Sequence, residues 1–207
     1  VLWTGFTGFA TNNFSDSFNG TNIAGFLADE WHITDGLKVD AGVRLEHYKT
    51  SGSVGLATNM NLDGNLLTVY NNAVSVLNGA TRSYDYSKTN ASWTAGANYY
   101  ITPEVTTFVR LNSGFRFPTF DEIYGGFRTV QKINQYELGF KTSLPMLDAA
   151  VTVFLNDFDG QTYSQQVVDP VTGAITTVIA IAGSRAYGAE LEGAFRPFEH
   201  LSIGFNA

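Results

Sequence analysis

From residue 37 to residue 48 the chain alternates without a break: Leu37, Val39, Ala41, Val43, Leu45 and His47 fall on odd positions, and Lys38, Asp40, Gly42, Arg44, Glu46 and Tyr48 on even ones. A period of two over this length gives a strand one apolar and one polar face and excludes a helix, whose faces repeat every 3.6 residues. The alternation returns six more times. Its apolar positions are Trp93, Ala95, Ala97, Tyr99 and Ile101; Val105, Val109 and Leu111; and Tyr136, Leu138 and Phe140. They continue as Ala149, Val151, Val153 and Leu155; Tyr187, Ala189, Leu191 and Phe195; and Leu201, Ile203 and Phe205. None of these positions carries Asp, Glu, Lys or Arg, whereas the opposite faces hold Arg110, Asn112, Glu137, Lys141, Asn156, Glu190 and Glu192. Gly42, Gly96, Gly139, Gly188 and Gly204 share that polar face, and mid-strand glycine weakens a sheet unless curvature or close packing requires it. Two more strands are expected at residues 1–10 and 23–34, the second broken in pattern by Asp29. That makes nine.

The links between strands fall into two alternating classes. Tight turns are expected at Asp35-Gly36, 102–104, 144–146 and 197–199, and long loops at 49–90, 115–133 and 160–178. Short turns at one end and long loops at the other are the pattern of a transmembrane barrel. Strands of about 10 residues suit a tilted crossing of the hydrocarbon layer. Trp31, Tyr99, Tyr100 and Phe198 lie beside short turns, and Tyr48, Trp93 and Tyr136 beside long loops, as two interfacial girdles would. A soluble sandwich would explain the alternation equally well, with the apolar face as its core. It does not explain the two classes of link. The expected fold is therefore all-β, an antiparallel transmembrane barrel seen in part. Within 49–90, the runs LLTVY and AVSVL around Asn71-Asn72 suggest a surface hairpin or an extension of neighbouring strands; extra strands there would raise the count to eleven.

Composition narrows the function. A net charge of −7 argues against nucleic acid, since little here could displace counterions from a phosphate backbone. Charged residues are scarce at 15%, against roughly 25% in soluble domains. There is no cysteine, hence no disulfide framework and no thiolate chemistry. No apolar run is long enough for a spanning helix. The opening VLWTGFTGFA lacks a basic n-region, so any targeting sequence is expected to lie outside these residues.

The stretch SGFRFPTFDEIYGG at 113–126 resembles the barrel of TonB-dependent outer-membrane receptors. Gly114, Phe115, Arg116 and Pro118 fit that family's Gly-Phe-Arg-x-Pro stretch, and Glu122, Ile123 and Tyr124 fit its following Glu-Leu-Tyr with Ile for Leu. FLADEWHITDGLKVDAGVRLEHY, INQYELGFKTSLPMLDAAVTVFLNDFDG and SRAYGAELEGAFRPFEHLSIGFNA resemble further strand pairs of the same barrel. The resemblance implies a 22-stranded barrel with an N-terminal plug, opened by energy drawn from the inner membrane through the partner TonB. It implies residence in the outer membrane of a Gram-negative bacterium and uptake of a scarce small molecule without covalent chemistry or a cofactor. A ferric siderophore is the first expectation; oligosaccharide, haem, cobalamin or a passive pore are the alternatives. No plug or TonB-contacting segment is recognised, and an odd, open strand set would leave backbone groups unpaired in lipid. Residues 1–207 are thus expected to be part of one barrel domain.

Ligand contact is expected in the loops, with Tyr70, Tyr84, Tyr86, Phe120, Asp121, Tyr124, Phe127 and Arg128 as candidates. Pro118 lacks an amide hydrogen and biases Phe117 toward extended backbone, so the strand should end there. Arg116 can direct five donors at carboxylates or carbonyls, which points to a structural clamp at the top of the barrel. Asp157, Asp159 and Gly160 lack the spacing of a calcium loop. His32, His47 and His200 are too scattered for zinc. Glu190 and Glu192 have a glycosidase-like spacing, but alternate residues on any polar strand face share it. Arg110, Lys141, Arg185 and Arg196 are their candidate partners across the lumen wall.

Overall fold

The computed structural model describes residues 15–61, 73–168, 170 and 175–207. They form one antiparallel sheet whose eight strands neighbour one another in chain order: β1 (Asp16–Thr34), β2 (Leu37–Asn61), β3 (Ala73–Thr102), β4 (Val105–Arg116), β5 (Gln131–Leu144), β6 (Leu147–Val168), β7 (Ile175–Phe198) and β8 (Leu201–Asn206). A five-residue helix, α1 (Phe120–Tyr124), lies between β4 and β5. The strand expected at residues 1–10 lies outside the described residues, as do 62–72.

Register converts the one-dimensional alternation into two surfaces. Trp31, Val39, Ala97, Val109, Leu138, Val153 and Ala189 pair in succession from β1 to β7, forming one apolar row across seven strands. One residue along, the row reads Glu30, Asp40, Gly96, Arg110, Glu137, Phe154 and Gly188. A slip of one residue would exchange the rows, so seven strands in one phase make a strongly specified register. No second layer covers the apolar face among the described residues: Val43, Val109, Leu138 and Val153 are exposed, while Tyr84, Tyr86 and Ile123 alone are buried hydrophobics. A contiguous apolar face of this extent is not stable against water. This is the inverse of a sandwich, and hydrocarbon is the environment that satisfies it.

The polar side is concave, since one recess of about 580 Å³ runs from Asn98 on β3 to Glu192 on β7. Its glycines make room for neighbours. Phe108 lies over Gly139 and Phe154 over Gly188, where the ring would come within 3.0 Å of an added Cβ. Such pairing of an aromatic ring with a strand glycine fills the gap left by the missing side chain. The Asp40 carboxylate crosses Gly96 in the same way, 2.6 Å from where a Cβ would stand, and so meets Arg110 two strands away at 3.5 Å.

The long-loop expectation needs correction in two of three places. Residues 49–61 and 73–90 continue β2 and β3 as paired strands across an irregularity between Gly55 and Ala57, and 160–168 and 175–178 continue β6 and β7 beyond another between Phe158 and Gln161. The strands therefore reach 25, 30, 22 and 24 residues, well beyond the crossing length of about 10. Outside the bilayer both faces meet water, so alternation stops marking the strand while the paired backbones still satisfy each other. The run at 73–77 extends β3 by pairing with 57–61 of β2 and adds no strand among the described residues, while LLTVY at 66–70 lies outside them. Tight turns do stand at 35–36, 103–104, 145–146 and 199–200. Asp29 pairs with Ala41 and thus points with the apolar row, its carboxylate accepting from the Glu30 backbone N–H at 2.9 Å.

Candidate ligand-binding mouth

The third long link, between β4 and β5, is a true loop, and its fold follows from its sequence. Pro118 is buried directly after β4 ends at Arg116. Thr119 then caps α1 with a capping box: its hydroxyl accepts from the Glu122 N–H, and the Glu122 carboxylate accepts from the Thr119 N–H at 2.6 Å. Reciprocal bonds of this kind satisfy two amide groups that a helix start otherwise leaves open. Gly126, at φ +92, then turns the chain in a conformation that side chains with a Cβ rarely adopt.

This loop folds inward. Tyr48, Tyr84 and Tyr86 lie on the polar face of β2 and β3, in phase with Arg44, Glu46 and Ser92. Onto them the loop places Phe117, stacked on Tyr48 at 5.3 Å between ring centroids, and Phe120, edge-on to Tyr84 at 4.9 Å. Phe120 also stacks on Phe18 at 5.1 Å and on Tyr124 at 6.4 Å. Ile123 is 2% exposed beneath them. Arg82 stands over the Tyr124 ring at 5.5 Å. Each ring pair is worth about 0.5–1.5 kcal/mol beyond its buried area, so the mouth has its own small core apart from the wall.

Glu122 is the electrostatic centre of the loop. One oxygen, Oε1, accepts from Arg116 Nη2 at 2.8 Å and from the Thr162 hydroxyl on β6 at 3.1 Å; Oε2 takes the Thr119 N–H. Arg116 Nε also donates to Gln131 Oε1 at 3.2 Å, joining the end of β4 to the start of β5. Partial burial opposes ionisation of Glu122, but the bonds from Arg116, Thr119 and Thr162 outweigh it and hold its pKa at about 2.

Of the residues singled out in the sequence, the structure brings Tyr84, Tyr86, Phe120 and Tyr124 together, with Arg116, Pro118 and Glu122 as their support. Tyr84 and Tyr86 form the floor and are 8% and 5% exposed, leaving Phe120, Tyr124 and Arg82 to face the mouth. Asp121 and Arg128 are exposed and Phe127 half-buried. Tyr70 lies outside the described residues. Phe18, Phe117 and Arg82 complete the cluster without having been ligand candidates, and Tyr48, expected in the outer girdle beside a long loop, turns inward to join them. The inward phase of β2 already placed Tyr48 on the polar face, which was the available signal.

The expected lumen pairs also need correction. Arg110, Arg185 and Arg196 bind Asp40, Asp157 and Asp148, and the Lys141 ammonium sits over the Phe108 ring at 4.8 Å. Glu190 and Glu192 lie across the recess instead. Asp157 is thereby engaged by a cation, and no group of three or more His, Cys, Asp or Glu could hold a metal among the described residues.

Against known proteins, residues 2–207 match the family model described as TonB dependent receptor-like, beta-barrel. The chain belongs to that family. Among solved structures it is similar to the closed form of the ferric-catecholate import receptor Fiu from Escherichia coli K12 (18% identity, TM-score 0.65, 89% of this chain and 26% of that one). It is similar also to the copper transporter OprC (14%, 0.63, 90% and 29%). The haemophore receptor HasR of Serratia marcescens, solved with haemophore and haem, gives 16%, 0.63, 86% and 32%. At these identities the likeness establishes the fold. The chain spans less than a third of each of those structures, and no curated protein matches it. The exposed apolar rows are accordingly the lipid face of an outer-membrane barrel, and the polar face lines its lumen.

Proposed function

We propose that these residues form the ligand-gathering side of a receptor that takes up a ferric siderophore across the outer membrane of a Gram-negative bacterium. The observation supporting this reading is the inward aromatic cluster at the mouth, with the Arg82 guanidinium over Tyr124. Flat π surfaces beside guanidinium groups suit a chelate whose iron-binding groups are aryl oxyanions, through stacking and charge together. Uptake needs no covalent step. Energy from TonB would enter through a plug and contact segment outside residues 1–207. The short turns would face the periplasm and the mouth the exterior.

The test uses the complete receptor. Binding of ferric catecholate, haem and oligosaccharides is compared by fluorescence quenching, and uptake is measured in cells with and without TonB. Ferric chelate binding weakened by Phe120→Ala and Tyr124→Ala, with uptake lost without TonB, is the expected result. Binding of glycan alone, or uptake indifferent to TonB, would overturn the proposal. A cysteine at Thr81 should label on intact cells and one at Glu199 should not.

A further inference from the structure

We infer that Glu122 is the positioning residue of a lid, residues 117–128, that closes a low side of the barrel mouth by tying together the two tall hairpins flanking it. The wall is uneven. β4 and β5 are 12 and 14 residues long, whereas β2 and β3 on one side reach 25 and 30, and β6 and β7 on the other reach 22 and 24. Residues 117–128 rise from the dip between them.

The lid is held differently on its two sides. Toward β2 and β3 the contact is apolar: Phe117 on Tyr48, Phe120 on Tyr84, Ile123 buried. Toward β6 it is polar and rests on the Thr162 hydroxyl, 3.1 Å from Glu122 Oε1. Gly160, at φ +71, lets β6 approach the return of the lid, where an added Cβ would come within 3.0 Å of Thr129 Cγ2 and of the Val130 carbonyl oxygen.

The division of labour between the two carboxylate oxygens carries the inference. A capping box uses one oxygen, and here that is Oε2 on the Thr119 N–H. Oε1 is surplus to the helix, and it receives Arg116 from the end of β4 and Thr162 from β6. An ionised carboxylate accepts on both oxygens without donating, so a single side chain can fasten the helix, the low hairpin and the tall one together. The strongly depressed pKa of Glu122 agrees with that arrangement. Fastened in this way, Phe120 and Tyr124 are held in place before ligand arrives, which lowers the ordering cost of binding.

The inference rests on the receptor reading only for its consequence in binding; the position of the lid is measured without ligand. In the complete receptor, spin labels at Asp121 on the lid and Gln165 on β6, both exposed, should give one narrow distance distribution. Glu122→Gln has one acceptor oxygen in place of two: kept on the Thr119 N–H, it leaves an amide N–H₂ facing the Arg116 and Thr162 donors, so the distribution should broaden. Thr162→Val removes the β6 tie alone and should broaden it less, with heat-modifiable migration of the barrel unchanged. Ferric catecholate should dissociate faster from Glu122→Gln. Distributions for both variants that coincide with the parent would overturn the inference. Should Glu122→Gln fail to fold, Thr162→Val decides by the same criterion. A broadened lid in a receptor that binds no ferric chelate would leave the lid standing and remove the siderophore reading.

Discussion

The wall and the mouth of this barrel are stabilised by opposite arrangements of the same side chains. In the wall, Val39, Ala97, Val109, Leu138 and Val153 point away from the protein and the polar groups point in. At the mouth, Phe117, Phe120 and Ile123 turn toward the protein and bury against Tyr48, Tyr84 and Tyr86. The difference follows from the solvent. In hydrocarbon, apolar groups have nothing to gain by hiding, and every backbone amide must find a partner, so pairing dominates and the faces sort by environment. In water above the membrane the hydrophobic effect returns and a small core forms. A single chain thus obeys two sets of rules along one strand, and β3 passes from one to the other between Tyr86 and Trp93.

The largest expected effect separates the two regions directly. Val109→Arg or Val43→Arg should cost about 2–4 kcal/mol if the site is near the bilayer midplane, while Ser92→Arg or Thr152→Arg, on the lumen face, should cost clearly less. Folding of the complete receptor into lipid vesicles, titrated with urea, measures both. Equal penalties on the two faces would erase the distinction between wall faces.

Next comes the mouth's own core. Ile123→Ala should cost about 2–5 kcal/mol, the range for a buried aliphatic truncation, and the loss should be local. Hydrogen exchange should accelerate in residues 117–124 and not in β4 or β5. Acceleration spreading into the strands would mean that mouth and wall fold as one unit.

The pH response should be confined to the mouth as well. A pKa held at about 2 in the folded protein, against an ordinary value of 4.5, means that Glu122 stabilises the lid fully above the ordinary value. That contribution is lost as pH falls from about 4.5 through about 2. Lid exchange or the Asp121–Gln165 distance, followed across this window, should show the lid released only in strongly acidic buffer. Release with a midpoint near 4.5 would show that the bonds from Arg116 and Thr162 contribute little.

The smallest effect is Arg82→Ala. Its cation–π contact with Tyr124 is exposed and should be worth about 0.5–1 kcal/mol, visible as a modest weakening of anionic ligand binding with no change in lid exchange. A large loss of lid order instead would make Arg82 a structural part of the mouth.

Most of the wall was legible in the sequence because its environment writes a period of two into every crossing. The phase of 37–48, the tight turn at Asp35-Gly36 and the end of β4 before Pro118 could all be read from residue order. The tall extensions could not. Residues 49–61 and 73–90 remain strands because each satisfies the other's amides, and a pairing between segments this far apart leaves no periodic trace once both faces are wet.

The stretch GFRFPTFDE determined a strand end, a capping box and the presence of an arginine and a glutamate within reach of each other. Local chemistry alone fixes these. That Oε1 of Glu122 would meet Thr162, forty residues away, or that Asp40 would reach Arg110 by passing over Gly96, depended on strand register and on the height of neighbouring hairpins. Those are properties of the assembled sheet: a carboxylate's partners are set by which strand stands beside it, and only the tertiary structure decides that.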